Sequence, residues 1–242
     1  MKTYKNFFDY VSSITDETEI DEESKNPYIN GYLKTVEDKL DYAIQFNDLT
    51  NINKYIKLVD INWQDDVGQS FMNTVLRAQN LNISRKIKII KLLISYGYYI
   101  NLKNINEQTS IYFTYNKKIA KILIDAGIDL ESKDMYNNTY YEHILWFKYK
   151  SIIPLIEYLM SINVKYNLDK SLFVVSMNHD IQKIVFFTKL GANWKYKENN
   201  KYFIENLTKK EIIELIKQLP EKFKVGIFKK YVVNITRKKF NL

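Results

Sequence analysis

One short phrase recurs along this chain: an apolar run, then a turn residue, then an apolar residue three positions on. The clearest copies occupy residues 92–100, 122–130 and 186–194, and weaker copies turn at positions 60 and 163. The five turn positions, 60, 97, 127, 163 and 191, are separated by 37, 30, 36 and 28 residues. Periods of this size are typical of repeat arrays, in which each unit buries its apolar face against its neighbours.

The segment before each turn has the pattern of the second helix of a pair. Apolar residues recur at helical spacing in residues 89–94 and again in residues 119–124. Pro154 suits the first turn of such a helix, where its missing N–H is not needed. Glycine at the turn fits a helix end that requires positive φ, and we expect Asn163 and Asp60 to adopt the same conformation.

A second motif follows three of the turns, in residues 65–70, 104–109 and 134–139. Each copy has an Asx residue, two spacers, a turn-tolerant or polar residue, one spacer and a hydroxyl residue. The Asx side chain can accept a hydrogen bond from the backbone two residues on. The Ser or Thr suits the N-cap of the next helix.

Helix pairs, a glycine turn, a projecting loop and an Asx-x-x-Gly-x-Thr segment together resemble the ankyrin repeat. Thr109 and Thr139 each follow their glycine by twelve residues, as in that family, and residues 178–185 resemble its inter-helix stretch. The Pro, Leu and His that follow the family's Thr are missing, two periods carry insertions, and the loop between Asn163 and Ser171 is shortened. Such departures resemble the degenerate repeats of large DNA viruses and host-associated microbes.

The resemblance implies an all-α, ankyrin-type helical repeat solenoid of about five divergent repeats, with helical N- and C-terminal segments. We expect three regions: an N-terminal helix and acidic linker (1–36), the divergent repeats (37–200), and a helical, basic C-terminal cap (201–242). Thr208 and Glu211 predict a capping box at the start of a helix in the cap. Pro220 is expected to open a further helix that runs to about Val233.

The chain offers little from which to build an active site. It has no cysteine, only two histidines in different repeats, and six glycines that mostly serve repeat turns. We therefore expect no catalysis, no cofactor and no metal. The N-terminus lacks a signal-peptide core and no stretch is apolar enough to span a bilayer. These features predict a monomeric cytoplasmic protein, located in the host cytoplasm if it is viral or an effector.

The resemblance implies a non-enzymatic scaffold that binds a protein partner of unknown identity through the hairpin tips and the concave face. One alternative is an adaptor that recruits targets to a ubiquitin ligase through its C-terminal helices. The other is electrostatic binding of nucleic acid or an acidic membrane by the basic tail, although nucleic acid is not the expected partner. The residues expected to contact the partner are Tyr98, Tyr99, Lys103, Asn104, Asn106, Glu107, Ser132, Lys133, Asp134, Tyr136 and Asn137.

Overall fold

A computed structural model of the chain describes Tyr28, residues 33–147 and residues 152–219. The expected N-terminal helix and most of the acidic linker lie outside the described residues, as do the helix expected from Pro220 to about Val233 and the basic tail. The described residues form two compact units that divide between Ile105 and Asn106, within the predicted repeat array.

The first unit contains two helix pairs. Thr35 opens the first helix with a capping box, in which its side chain accepts from the Asp38 N–H at 3.0 Å and the Asp38 carboxylate accepts from the Thr35 N–H at 2.9 Å. Helices of the first pair contact each other, and the first helices of the two pairs also contact each other. The helices are α1 (Val36–Gln45), α2 (Leu49–Tyr55), α3 (Phe71–Arg77) and α4 (Ile83–Ser95).

The second unit continues the same pattern, with a 3-10 turn in place of its first helix. Its elements, in chain order, are a 3-10 turn (Ser110–Phe113), α5 (Lys117–Asp125), α6 (Tyr140–Leu145), α7 (Ile153–Ser161), α8 (Leu168–Met177), α9 (Ile181–Lys189), β1 (Lys197–Glu198), β2 (Lys201–Tyr202), a second 3-10 turn (Phe203–Asn206) and α10 (Lys209–Gln218).

Like elements stack on like elements in the second unit. The first 3-10 turn packs on α6, α6 on α8, and α8 on the second 3-10 turn. The second helices form another layer, in which α5 packs on α7 and α9 on α10. The interior between the layers is filled by aliphatic and aromatic side chains, among them Ile144, Leu155, Leu172 and Phe187. This stacking confirms the predicted array of helix pairs, and Pro154 lies in the first turn of α7 as expected.

Four of the five predicted turn residues have the expected positive φ: Gly97, Gly127, Asn163 and Gly191. Each closes its helix with the same pair of backbone bonds. After α4, for example, the Gly97 N–H donates to the Ile94 carbonyl at 3.0 Å, and the Tyr98 N–H donates to the Leu93 carbonyl at 3.2 Å. The turn residue is left-handed because this crossed pattern satisfies the last carbonyls of the helix.

The expectation for Asp60 is wrong. Asp60 has no positive φ, because α2 ends earlier, at Tyr55, and the chain has already left the helix before it reaches Asp60. The Asp60 carboxylate instead accepts from the Asn62 N–H at 2.9 Å, which makes an Asx turn.

The Asx turns predicted at Asp65 and Asp134 form at the hairpin tips. Asp65 Oδ1 accepts from the Val67 and Gln69 N–H groups at 3.0 and 2.7 Å. Asp134 Oδ1 accepts from the Tyr136 and Asn138 N–H groups at 3.0 and 2.9 Å. The tip residue three positions after each Asx residue has positive φ, whether it is Gly68, Glu107 or Asn137.

The hydroxyl residues of the motif behave differently from one another. Ser70 and Thr139 cap α3 and α6 as predicted, and Thr139 forms a full capping box with Glu142. Thr109 makes no capping bond. Only a few residues separate it from Asn116, which caps α5, so a 3-10 turn replaces the expected first helix of that repeat.

Candidate functional site

The hairpin residues proposed as partner contacts divide into buried and exposed groups. Tyr98 is only 5% exposed, and its hydroxyl hydrogen bonds to the Ser70 hydroxyl at 2.8 Å. Asn104 and Asp134 are also buried. The side chains of Tyr98 and Asp134 bond within the hairpin region. All three side chains are buried, so the expectation that they present contact area to a partner does not fit their positions.

The other expected contacts in the first unit lie at the surface. Tyr99 is exposed, and its backbone N–H is held by Asn62 Oδ1 at 2.7 Å. Lys103 is exposed, and its carbonyl accepts from Gln64 Nε2 at 2.9 Å. The backbone of this hairpin is therefore fixed while the two side chains face solvent.

In the second unit, Asn106, Glu107, Lys133, Tyr136 and Asn137 are exposed. Ser132 is half-buried, and its carbonyl accepts from the Tyr112 hydroxyl at 2.9 Å. The Lys133 ammonium donates to Asn137 Oδ1 at 3.0 Å across the hairpin, which the bridge between Lys133 and Thr139 closes.

Apolar side chains project from the hairpin tips, and most of them were not among the residues expected to contact the partner. In the first unit Val67 and Ile105 are exposed, Ile105 to 64%. In the second unit Met135 is 56% exposed and Tyr136 is 73% exposed. A signal was available, because each lies one or two positions after the Asx residue, where the turn carries side chains outward. The residues expected to contact the partner include Tyr136 but none of Val67, Ile105 and Met135.

Adjacent tips are joined by backbone hydrogen bonds within each unit. In the first unit the Ile105 N–H donates to the Val67 carbonyl at 3.4 Å. In the second unit the Met135 N–H donates to the Asn106 carbonyl at 2.9 Å. This ladder stops after the tip at 134–137. Thr139, the cap of α6, follows Gly127 by twelve positions, but Asn167, the cap of α8, follows Asn163 by only four.

A groove opens where that hairpin is missing. We call it the notch. It consists of two cavities of about 310 and 120 Å³ that share Trp146, Lys170 and Val174 as walls. Asn138, at the base of the preceding hairpin, lines one end. The β1–β2 hairpin lines the other end through Glu198, Asn199 and Lys201.

Apolar side chains on the first-helix layer form the floor of the notch. Trp146 follows α6, Val174 and Met177 lie on α8, and Tyr166 belongs to the short loop before α8. Trp146, Tyr166 and Met177 are all exposed large hydrophobic side chains. None of these three residues was among the expected contacts, because nothing in the sequence of one repeat indicates that its neighbour will leave this floor uncovered.

Buried polar contacts hold Trp146 in place. The ammonium of Lys183, itself 1% exposed, donates to the carbonyls of Leu145, at 3.2 Å, and Phe147. Burial lowers the pKa of Lys183, an effect that the nearby Asp180 carboxylate opposes. Because two carbonyls on either side of Trp146 are tied to one buried donor, the backbone that presents the indole is fixed.

Charged groups line the rim of the notch. Lys170 and Glu142 form an ion pair at 3.1 Å between α8 and α6. Burial alone raises the pKa of Glu142, but the Thr139 N–H and Lys170 outweigh it, so the pKa is lowered and the group is a carboxylate at neutral pH. Glu198 accepts from the Tyr196 hydroxyl. Lys201 has no carboxylate within ion-pair distance among the described residues.

Both histidines occupy structural positions. His143 lies on α6 with its ring centroid 5.0 Å from those of Tyr112 and Phe147, and burial lowers its pKa. His179 lies in the turn before α9, and its Nδ1 is 3.1 Å from the Glu211 carboxylate. Within residues 33–147 and 152–219, no three His, Asp or Glu side chains converge as metal ligands would. In the same part of the chain, no helix is both long and apolar enough to cross a membrane.

Comparison with known proteins gives consistent similarities. No family model matches the chain. An ankyrin repeat protein of Acanthamoeba polyphaga mimivirus is 26% identical over 198 residues, which cover 78% of this chain and 58% of that protein. This chain therefore spans little more than half the length of that relative.

Solved structures give the fold. The ankyrin repeat domain of Bcl-3, a member of the IkappaB protein family, matches 74% of this chain and 82% of its own with a TM-score of 0.57 and 12% identity. The human ASB11 ankyrin repeat domain matches 73% of this chain and 80% of its own with a TM-score of 0.57 and 15% identity. The stacked helix pairs, the glycine turns, the Asx hairpins and these similarities together give the chain an ankyrin-type repeat fold with divergent repeats.

Proposed function

We propose that this chain is a non-enzymatic protein-binding module that uses its hairpin tips and first-helix layer to hold a partner. Ankyrin repeats are protein–protein interaction modules and typically serve as binding scaffolds without catalysis. The proposal narrows the expected contacts to the exposed members of the earlier set: Tyr99, Lys103, Asn106, Glu107, Lys133, Tyr136 and Asn137, with half-buried Ser132 at the margin.

One observation carries the proposal: each of the three described Asx hairpins carries an exposed apolar side chain at its tip, namely Val67, Ile105 and the pair Met135 and Tyr136. Covering water-exposed apolar groups with a partner lowers the free energy of the complex. The Asx bonds and inter-tip bonds fix the backbone beneath these side chains, so little ordering cost remains on binding. Rigidly held aromatic side chains are the kind that dominate binding energy at interfaces.

Affinity capture with the full chain tests the proposal. The tip variant replaces Met135 and Tyr136 by Ala. The control variant replaces Leu190 and Ile213 by Ala. Both are exposed apolar residues away from the tips, Leu190 directly after α9 and Ile213 on α10. Loss of specifically captured proteins with the tip variant alone supports binding through the tips. Equal capture by wild type and tip variant contradicts it.

The electrostatic alternative depends on the basic tail, which lies outside the described part of the chain. The adaptor alternative depends on the C-terminal helices, of which α10 is described and the helix expected from Pro220 is not. Both remain predictions from the sequence.

A further inference from the structure

We infer that the notch left by the shortened fourth repeat is the specificity site of this chain, and that its occupant is an extended segment of a partner protein. The segment carries one large apolar side chain with an acidic residue beside it. This inference rests on the proposed function, since it names the site at which a protein partner is recognised and the chemistry that recognises it.

The cavity sizes indicate one anchoring side chain. About 310 Å³ in the larger cavity is at the low end of the range of about 300–1,000 Å³ typical of ligand sites. Its walls include the ring of Trp146, the thioether of Met177 and the buried ring of Phe173. An aromatic or long aliphatic side chain fills such a space, whereas a folded helix does not fit it.

The backbone geometry favours an extended segment. Successive tips are bonded through a carbonyl two positions after the Asx residue, as the Met135 N–H and Asn106 carbonyl demonstrate. Tyr136 holds the equivalent position in the next tip, but the fourth repeat supplies no tip whose N–H could donate to the Tyr136 carbonyl. An extended strand entering the notch beside Tyr136 can donate an N–H to that carbonyl, as strand addition does at sheet edges.

The charge of the rim favours an acidic neighbour to the anchor. Lysines 165, 170 and 201 line the two cavities, against the carboxylates of Glu142 and Glu198. Both carboxylates are engaged, Glu142 by Thr139 and Lys170 and Glu198 by the Tyr196 hydroxyl. Lys201 has no carboxylate within ion-pair distance among the described residues, so an Asp or Glu of the partner gains a charge pair there.

Selection from a displayed library of random dodecapeptides on the full-length chain tests the inference. We expect the enriched peptides to share one large apolar residue with Asp or Glu within a few positions. A synthetic copy should bind Lys201→Glu and Trp146→Ala about tenfold or more weakly than wild type, and Lys189→Glu and Leu190→Ala within about twofold. A peptide in which Lys replaces the acidic residue should recover binding to Lys201→Glu. Circular dichroism of each variant checks that it folds.

Three outcomes overturn the inference. The first is enrichment without an acidic residue, or no enrichment. The second is equal binding of the synthetic peptide by wild type and both notch variants. If Tyr136→Ala weakens binding in that case, the tip proposal stands and the notch is excluded. If Tyr136→Ala also leaves binding unchanged, both proposals fail. The third concerns the chain's own acidic stretch. If a synthetic peptide of residues 14–25 binds the notch as tightly as the selected peptides, the occupant is this chain rather than a partner.

Discussion

Replacing Gly68 by alanine should destabilise the first unit far more than the same change at Gly97. Both glycines have positive φ, +72° and +87°, so alanine costs about 1–2 kcal/mol at either site for a left-handed backbone. A Cβ at Gly97 meets nothing within 4 Å. A Cβ at Gly68 falls 2.7 Å from the Asn104 Cα and 3.0 Å from the Ile105 nitrogen, well inside ordinary contact.

The added cost at Gly68 is steric, because the clash is with backbone and not with a side chain that can rotate away. The two hairpins must separate, which strains the bond from the Ile105 N–H to the Val67 carbonyl. Overpacking of this kind costs about 1–3 kcal/mol beyond the conformational term. We therefore expect Gly68→Ala to lose about 2–5 kcal/mol in all, against about 1–2 kcal/mol for Gly97→Ala.

Urea denaturation followed by circular dichroism and by the fluorescence of the tryptophans, of which Trp63 lies in the first unit, measures both losses. Gly127→Ala in the second unit is a further control, since its Cβ also meets nothing within 4 Å. Equal losses at Gly68 and Gly97, or a neutral Gly68→Ala, would refute the reasoning that adjacent hairpins pack backbone against backbone.

Three further changes test particular contacts. Tyr98→Phe removes a buried hydrogen bond and should lower the free energy of unfolding by about 1 kcal/mol, whereas exposed Tyr99→Phe should change it by less than about 0.5. Lys183→Met removes the Lys183 donor from the Phe147 carbonyl and leaves the Leu145 carbonyl with the Asn178 amide, so chemical denaturation should report a loss of about 1–3 kcal/mol, with Lys189→Met near neutral. Glu142→Gln should cost about 0.5–1 kcal/mol at pH 7. Because the folded pKa of Glu142 is lowered, that difference is fully present above the ordinary value of 4.5 and is lost as the pH falls through the lower folded pKa. A difference that grows on acidification would contradict this assignment.

The sequence predicted features that depend on local backbone chemistry. Left-handed turns at Gly97 and Asn163 follow from what those residues tolerate, and the Asx turns at Asp65 and Asp134 follow from short carboxylates reaching their own backbone. The capping box of Thr208 and Glu211 is also confirmed. Each of these is decided within a few residues, so one repeat suffices to predict it.

What the sequence did not predict depends on neighbouring repeats. Tyr98 comes directly after the turn at Gly97, where the sequence predicted an exposed side chain. It is buried instead, because Ser70, 28 positions earlier, supplies a buried hydroxyl partner. Trp146 and Met177 remain exposed because the fourth repeat has no hairpin to cover them. The sequence shows that the loop after Asn163 is short. To predict which side chains this leaves exposed on the floor of the notch, one must know how three successive repeats stack.

The β1–β2 hairpin was also missed. Its turn residues, Asn199 and Asn200, both have positive φ, which is the geometry of the two-residue hairpin turn that asparagine favours. The predicted array ended at Asn200, so the pairing of Glu198 with Lys201 crossed the expected boundary of the repeats.

Amide hydrogen exchange of the full chain, alone and bound to the partner that it captures most strongly, tests the central claim that the hairpin side and notch bind protein. We expect binding to slow exchange at residues 135–137, 166–171 and 198–202, and to leave α9 unchanged. Protection confined to α9 and α10, with the tips and notch unaffected, would contradict it.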